Sequence, residues 1–224
     1  MFEIAGITFH WYGLLIGIGT WIAMEIALAS PNKIEKGLLE TSMWWSIVGG
    51  VVGARAYHVI DFWNQYYSAN IGRIFYLWAG GLGIFGALAG GMMGLGAFCV
   101  IFQQKYWILT DSLVVGIPLA QTIGRLGNWI NGELIGKNGE PLFAIEGGLN
   151  LILFFLLLFV SRKKLKTGQL TGVYFLGYSV IRFFLELMRP EEAIWMIGGI
   201  PTAQIFSLIF GVVGLWLISR KRQS

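Results

Sequence analysis

Leu151-Ile152-Leu153-Phe154-Phe155-Leu156-Leu157-Leu158-Phe159-Val160 is an unbroken apolar run that gives way to Ser161-Arg162-Lys163-Lys164-Leu165-Lys166. The run has no side chain that wants water, and the basic cluster behind it resists burial. Together they read as a helix that crosses a membrane and ends at its surface. The same alternation fills the rest of the chain, with uncharged windows centred near Gly19, Gly50, Gly91, Pro118, Phe154, Tyr178 and Ile209. A crossing takes about 20 residues, so these windows predict an all-α fold: a polytopic membrane protein with seven transmembrane helices, forming a single integral membrane domain over 1–224.

Composition agrees. Of the 224 residues, 56% are hydrophobic, 15% aromatic and only 12% charged, about half the charged share of soluble domains. The mean hydropathy is +0.68. An ordinary soluble domain is thereby excluded. The net charge of +4 comes from 16 basic and 12 acidic residues and forms no patch that would suit nucleic acid.

The location of the basic residues says more than their total. Lys33, Lys36, Lys105, Arg162, Lys163, Lys164, Lys166, Arg220, Lys221 and Arg222 fall in one alternate set of connections, and Arg73, Lys137 and Arg189 in the other. The positive-inside bias puts the first set in the cytoplasm, with the C-terminus there and the N-terminus outside. Met1-Phe2-Glu3-Ile4 lacks the basic start of a signal peptide, so the first apolar stretch is expected to persist as a span. Cys99, the single cysteine, sits in an apolar run and reads as packing.

Glycines and prolines qualify the picture of straight helices. Gly86, Gly90 and Gly94 recur at every fourth position, the spacing that lets membrane helices touch backbone to backbone. Pro118 in mid-span and Pro201 near the start of the last span point to kinked or broken helices, tolerated where protein or a wet cavity covers the backbone. The segment from Asp61 to Trp78 is too polar to span and too aromatic for a plain loop; it reads as interfacial, on the outer leaflet.

Two polar clusters stand out in this apolar background. The first is Gly124-Arg125-Leu126-Gly127-Asn128-Trp129-Ile130-Asn131-Gly132-Glu133-Leu134-Ile135-Gly136. On a helix Arg125, Asn128 and Asn131 share a face, although Gly127 and Gly132 leave an unwound stretch open. In the second, Tyr178, Arg182, Glu186 and Arg189 lie at i, i+4, i+8 and i+11, one helical stripe on which Arg182 and Glu186 are spaced to pair. Both clusters, and His10-Trp11-Tyr12, fall at the outer ends of their spans.

Plainer readings exist for each: Arg125 reaching to the interface with Glu133 neutralising it, and Arg182–Glu186 as a pair that locks the bundle. Against them, two arginines with too little carboxylate to satisfy both invite an anion, and at that depth the anions are lipid phosphates. Arg55 either joins them or is a helix-end residue reaching for the interface. His58 and Asp61 beside it are ambiguous in the same way.

The residues from Gly124 to Glu133, with Gly136, resemble the signature of the bacterial prolipoprotein diacylglyceryl transferases. Supporting matches are His10-Trp11-Tyr12-Gly13, Trp78 with Gly80-Gly81-Leu82, the Tyr178 to Arg189 stripe, and Pro201-Thr202-Ala203-Gln204-Ile205-Phe206-Ser207. The family has seven spans with the N-terminus outside. The resemblance implies transfer of the diacylglyceryl group of phosphatidylglycerol to the lipobox cysteine thiol of a preprolipoprotein, giving a thioether and glycerol-1-phosphate. It implies a multi-pass protein of the bacterial cell membrane, with the active site toward the outer leaflet and no cofactor or metal. Tyr12, Arg125, Asn128, Glu133 and Arg182 match positions that the family treats as critical. His10, Asn131, Glu186, Arg189 and Arg55 are expected to bind substrate around them.

One position departs from the pattern. Many family members have histidine followed by two glycines where this chain has Phe85-Gly86-Ala87, and phenylalanine cannot take a proton. Glu133, Tyr12, His10 or the arginine field alone is then left to help the thiol ionise. The competing readings are a non-catalytic relative that binds anionic lipid, favoured by Phe85, and a small membrane transporter, since arginines in spans and broken helices also build substrate paths; against the latter the polar residues collect on one side of the membrane, with Asp111 near an inner helix end the contrary mark.

Overall fold

An apolar segment in lipid satisfies its peptide groups within itself, and therefore folds as a helix. The computed structural model describes residues 2–4, 7–9, 11–30, 34–77 and 80–220. His10, Lys33, Trp78, Lys221, Arg222 and the Trp11 side chain lie outside the described residues. The helices are α1 (Trp11–Ala29), α2 (Lys36–Asp61), α3 (Ile84–Ile101), α4 (Tyr106–Leu113), α5 (Ile117–Asn131), α6 (Leu142–Ser161), α7 (Gln169–Glu186) and α8 (Thr202–Ser219). Gly19, Gly50, Gly91, Pro118, Phe154, Tyr178 and Ile209 fall in α1, α2, α3, α5, α6, α7 and α8.

Four of these helices are long and apolar enough to cross a membrane: α1, α3, α6 and α8. The pair α4 and α5, bent by 49°, makes a fifth candidate. The break lies just before Pro118, in the first turn of α5, where a missing N–H costs nothing. The 26-residue α2 and 18-residue α7 are less apolar because of residues such as Arg55 and Arg182.

Two short antiparallel hairpins depart from an all-helical chain: β1 (Phe2–Ile4) with β2 (Ile7–Phe9), and β3 (Met196–Ile197) with β4 (Ile200–Pro201). In the second, Gly198 at φ 58 and Gly199 at φ 80 supply the left-handed pair that a two-residue hairpin turn demands.

The chain divides into two compact units, residues 34–109 and residues 1–33 with 110–224. In the smaller unit α2 and α3 run antiparallel along facing glycines. A Cβ added at Gly86, Gly90 or Gly94 would run into the backbone carbonyls of Gly53, Gly49 and Trp45 respectively. Without side chains between them the backbones meet, which is how helices adhere in a solvent as apolar as themselves. Cys99 is buried and free.

The region from Asp61 onward forms a π-helical turn, Trp63–Tyr67, and a 3-10 turn, Ile71–Phe75. Arg55 organises it. Its Nε donates to the Ile74 carbonyl at 2.8 Å, its Nη1 to Gly80 at 2.7 Å and Gly81 at 3.0 Å, and its Nη2 to Tyr76 at 3.1 Å and to Arg73. A guanidinium has five N–H groups, and all are used. The expectation that Arg55 binds substrate phosphate is therefore corrected: with 6% exposure and no donor to spare, it knots a loop. It does not reach for the interface either.

In the larger unit α1 lies against α5, where Gly116 meets the Ala23 backbone and Gly19 that of Ala120. Helices α7 and α8 cross at Gly172 and Gly214. The apolar core gathers Val114, Val115, Leu153, Leu157, Leu170 and Tyr174. Asp111 holds helices together, accepting from the Gly168 N–H at 2.6 Å, the Thr171 N–H at 2.8 Å and the Thr171 hydroxyl at 2.7 Å. It thus caps α7 from another helix, satisfying donors that the helix start leaves open.

The glycine contact gives a direct test. Gly90→Leu overpacks the α2–α3 interface and should lower stability by about 1–3 kcal/mol. Gly96→Ala on the same helix meets nothing within 4 Å and should gain about 0.5–1 kcal/mol. Unfolding of both variants in detergent, followed by circular dichroism, measures the difference.

Candidate active site

The first polar cluster is built at the end of α5. The helix runs through Asn131 and stops at Gly132, φ 69, so the unwound alternative is confined to the residues after Asn131. Arg125 and Asn128, one turn apart, face inward together, and Nη1 of Arg125 donates to Asn128 Oδ1 at 2.8 Å. Gly132 and Leu134, φ 61, turn the chain back around Glu133. Its carboxylate then accepts from Asn128 Nδ2 at 3.1 Å and Asn131 Nδ2 at 3.3 Å. Tyr12 joins this group: a Cβ at Gly127 would strike its ring.

Glu133 does not neutralise Arg125. That carboxylate comes from Glu146 on α6, whose Oε1 lies 2.6 Å from Nη2 of Arg125. Glu146 is 1% exposed, and Tyr178 of α7 donates to the same Oε1 at 3.4 Å. One continuous chain of polar contacts thus runs Glu133, Asn128, Arg125, Glu146, Tyr178.

One turn further along α7 the second cluster begins. Arg182 Nη2 is 2.7 Å from Glu186 Oε2, and Arg189 Nη1 is 3.4 Å from the same oxygen. The helical stripe is shorter than the spacing predicts, because α7 ends at Glu186, yet Arg189 still reaches that carboxylate from beyond the helix. The loop after Glu133 ties the two clusters to one end of the bundle: Lys137 N–H donates to the Met188 carbonyl at 2.9 Å. Within that loop the Asn138 side-chain amide holds the Glu140 carboxyl below the usual carboxylate range.

The larger unit therefore brings together Tyr12, Arg125, Asn128, Asn131 and Glu133, and beside them Arg182, Glu186 and Arg189. The expected shortage of carboxylate is corrected, since Arg125 and Arg182 each have an acidic partner. These carboxylates leave room for an anion. Arg125 donates two of its five N–H groups to Asn128 and Glu146, and Arg182 one to Glu186. With side chains 24% and 21% exposed, both guanidiniums keep an open edge. Sequence reasoning misses Glu146, although it is the lone charged residue between Leu142 and Ser161, which is signal enough in an apolar span. Phe85 lies in the other unit, its ring 6.2 Å from that of Tyr57.

The family model for prolipoprotein diacylglyceryl transferase matches residues 1–220. The chain belongs to this family. Among curated relatives named phosphatidylglycerol–prolipoprotein diacylglyceryl transferase, that of Listeria innocua is 31% identical, over 98% of this chain and 88% of its own length. The Finegoldia magna relative is 32% identical over 99% and 95%, and that of Synechococcus elongatus 32% over 98% and 87%. The chain is thus a transferase, and the arginine clusters sit in a match that runs nearly end to end.

The buried ion pair makes a prediction that does not depend on the reaction. Glu146→Ala strands Arg125 without a partner. A fully buried pair loses about 3–5 kcal/mol when broken, and the partial exposure of Arg125 reduces this to about 2 kcal/mol, measured by thermal unfolding in detergent. Glu146→Gln keeps the shape and an acceptor, and should recover part of the loss.

Proposed function

We propose that the chain transfers the diacylglyceryl group of phosphatidylglycerol to the lipobox cysteine of preprolipoproteins, with Arg125 and Arg182 as the phosphate-binding groups. The observation that carries this reading is the pair of guanidiniums, each held by a buried carboxylate at 2.6 or 2.7 Å and each with N–H groups left to donate. The relatives' names supply the two substrates. The single domain crosses the cell membrane of the bacterium seven times, with α2 and α7 as spans in addition to the more apolar ones. The distribution of lysine and arginine supports an N-terminus outside, a C-terminus in the cytoplasm and an active site facing the outer leaflet.

The chemistry follows from the product. In forming a thioether, sulfur bonds to the glyceryl carbon that bore the phosphate. The C–O bond breaks, and its electron pair leaves with glycerol-1-phosphate. The thiol gives up its proton, which balances the added charge on the phosphate monoester. Negative charge thus builds on a phosphate oxygen in the transition state, where preorganised guanidiniums are most effective. Glu146 and Glu186 hold those guanidiniums in place beforehand. Asn128 fixes Arg125 from one side, and Glu133 holds Asn128. Tyr12, packed on Gly127, closes the wall, and His10, Asn131 and Arg189 complete the substrate contacts.

A lipobox peptide in phosphatidylglycerol liposomes should gain one diacylglyceryl group by mass spectrometry. Arg125→Ala and Arg182→Ala should each cut the rate by about 100-fold or more while the protein still inserts; full activity in either would refute the phosphate clamp. Glu133→Gln should also lose activity.

Phe85 favours a second reading, a lipid-binding relative without turnover, in which the peptide gains no mass while phosphatidylglycerol still binds. If the transferase reading holds, Phe85→His should leave the rate within about threefold, because thiol ionisation is then served by the arginine field and Glu133.

A further inference from the structure

Beneath the Arg125–Glu146–Tyr178 layer the same three helices repeat a polar triplet one turn deeper. Gln121 precedes Arg125 by four residues on α5, Asn150 follows Glu146 by four on α6, and Tyr174 precedes Tyr178 by four on α7. Residues four apart stack on one helix face, so the second triplet lies under the first. Its one cross-helix bond is Gln121 Nε2 to the Tyr174 hydroxyl, at 3.1 Å. Beside it the Thr122 hydroxyl lies 3.0 Å from both the Pro118 carbonyl of its own helix and the Gly147 carbonyl of α6, which share its one proton where α5 and α6 meet.

The rest of the layer is unsatisfied. Asn150 is 0% exposed, and neither its Oδ1 nor its Nδ2 has a partner; Gln121 Oε1 and Arg125 Nε are likewise buried without one. Orphaned buried groups of this kind forfeit their hydration without a replacement bond, and four in neighbouring turns of a small bundle is a large penalty to leave standing. Two of them, the Arg125 Nε–H and the Asn150 amide N–H, are donors. The other two, the carbonyl oxygens of Gln121 and Asn150, are acceptors. Water accepts two hydrogen bonds and donates two, and buried waters typically make about three.

We propose that Gln121, Asn150 and Tyr174 form an internal water-binding site that fixes the guanidinium of Arg125 from below. Asn128 and Glu146 hold its two terminal nitrogens, and the bound water holds the third, Nε. All the rotational freedom of the group is then removed before a phosphate arrives. Asn150 is in this sense a positioning residue that acts through water and Arg125 without touching substrate. The functional part of the inference rests on the assignment of Arg125 to phosphate binding; the water site itself does not.

The unaltered protein supplies the first test. A density map at a resolution that reveals ordered solvent should contain a peak within hydrogen-bond distance of both Arg125 Nε and the Asn150 amide, and its absence would overturn the proposal whatever the enzyme does. The second test is Asn150→Leu, which removes the polar groups at nearly constant volume. Loss of a bound water that orients Arg125 should lower kcat by about ten- to a hundredfold with little change in KM for phosphatidylglycerol and no loss of thermal stability. Asn150→Ser, which leaves room and hydrogen-bonding capacity for water, should restore most of the rate. If Asn150→Leu raises stability and leaves kcat unchanged, the layer has no positioning role. Should Asn150→Leu fail to fold, Gln121→Met, which removes only one acceptor and one bond to Tyr174, carries the same kcat comparison. A solvent peak in a protein whose Arg125→Ala variant stays fully active would uphold the water site and refute the phosphate clamp instead.

Discussion

A guanidinium cannot lose its charge at any working pH, so an apolar bundle that admits one must satisfy it, with carbonyl acceptors as at Arg55 or with a counter-charge. The Arg125–Glu146 contact is the second solution, and much of the larger unit is arranged around it. It joins α5 to α6, the Tyr178 hydroxyl brings in α7, and Asn128 extends the contact to Glu133 and the loop beyond. The bond is short, at 2.6 Å, as contacts between a guanidinium and a carboxylate are. Its net contribution to stability is small once desolvation is counted. What it supplies is orientation, which a reaction that develops charge on phosphate requires more than it requires additional attraction.

How much of this is legible in the sequence differs by element. Helices announce themselves, because an apolar run in lipid has few conformational choices. The glycine contact is legible on one side only: Gly86, Gly90 and Gly94 predict a helix interface, while the facing Trp45, Gly49 and Gly53 backbones come from the structure. Arg182 and Glu186 pair by spacing alone, since a four-residue separation on one helix leaves little doubt about reach. Arg125 and Glu146 are 21 residues apart on different helices, and no periodicity connects them.

The arginines also show why residue type is a weak guide to role. By sequence Arg55, Arg125 and Arg182 are all the same thing, a cation inside an apolar span. In the structure one is exhausted by carbonyl acceptors and two are paired with acids and left partly open. The difference lies in what surrounds each side chain: the backbone at Ile74, Tyr76, Gly80 and Gly81 presents carbonyls to Arg55, whereas Arg125 is met by the side chains of Asn128 and Glu146. Asp111 carries the converse lesson. Alone at an inner helix end it resembles part of a transport path, and it proves to be an acceptor for the first N–H groups of α7.

The Arg55 knot bears on how loss-of-function variants in this chain are to be interpreted. Lysine in its place brings three donors to five carbonyls, so even the mildest exchange leaves acceptors stranded and the backbone at residues 73–76 and 80–81 without its common anchor. A genetic screen scored by activity would rank Arg55 beside Arg125 and Arg182, and would enrol a scaffold residue among the reacting ones. Intolerance to substitution is here a shared symptom with two origins, chemistry and architecture, and only a readout of folding separates them.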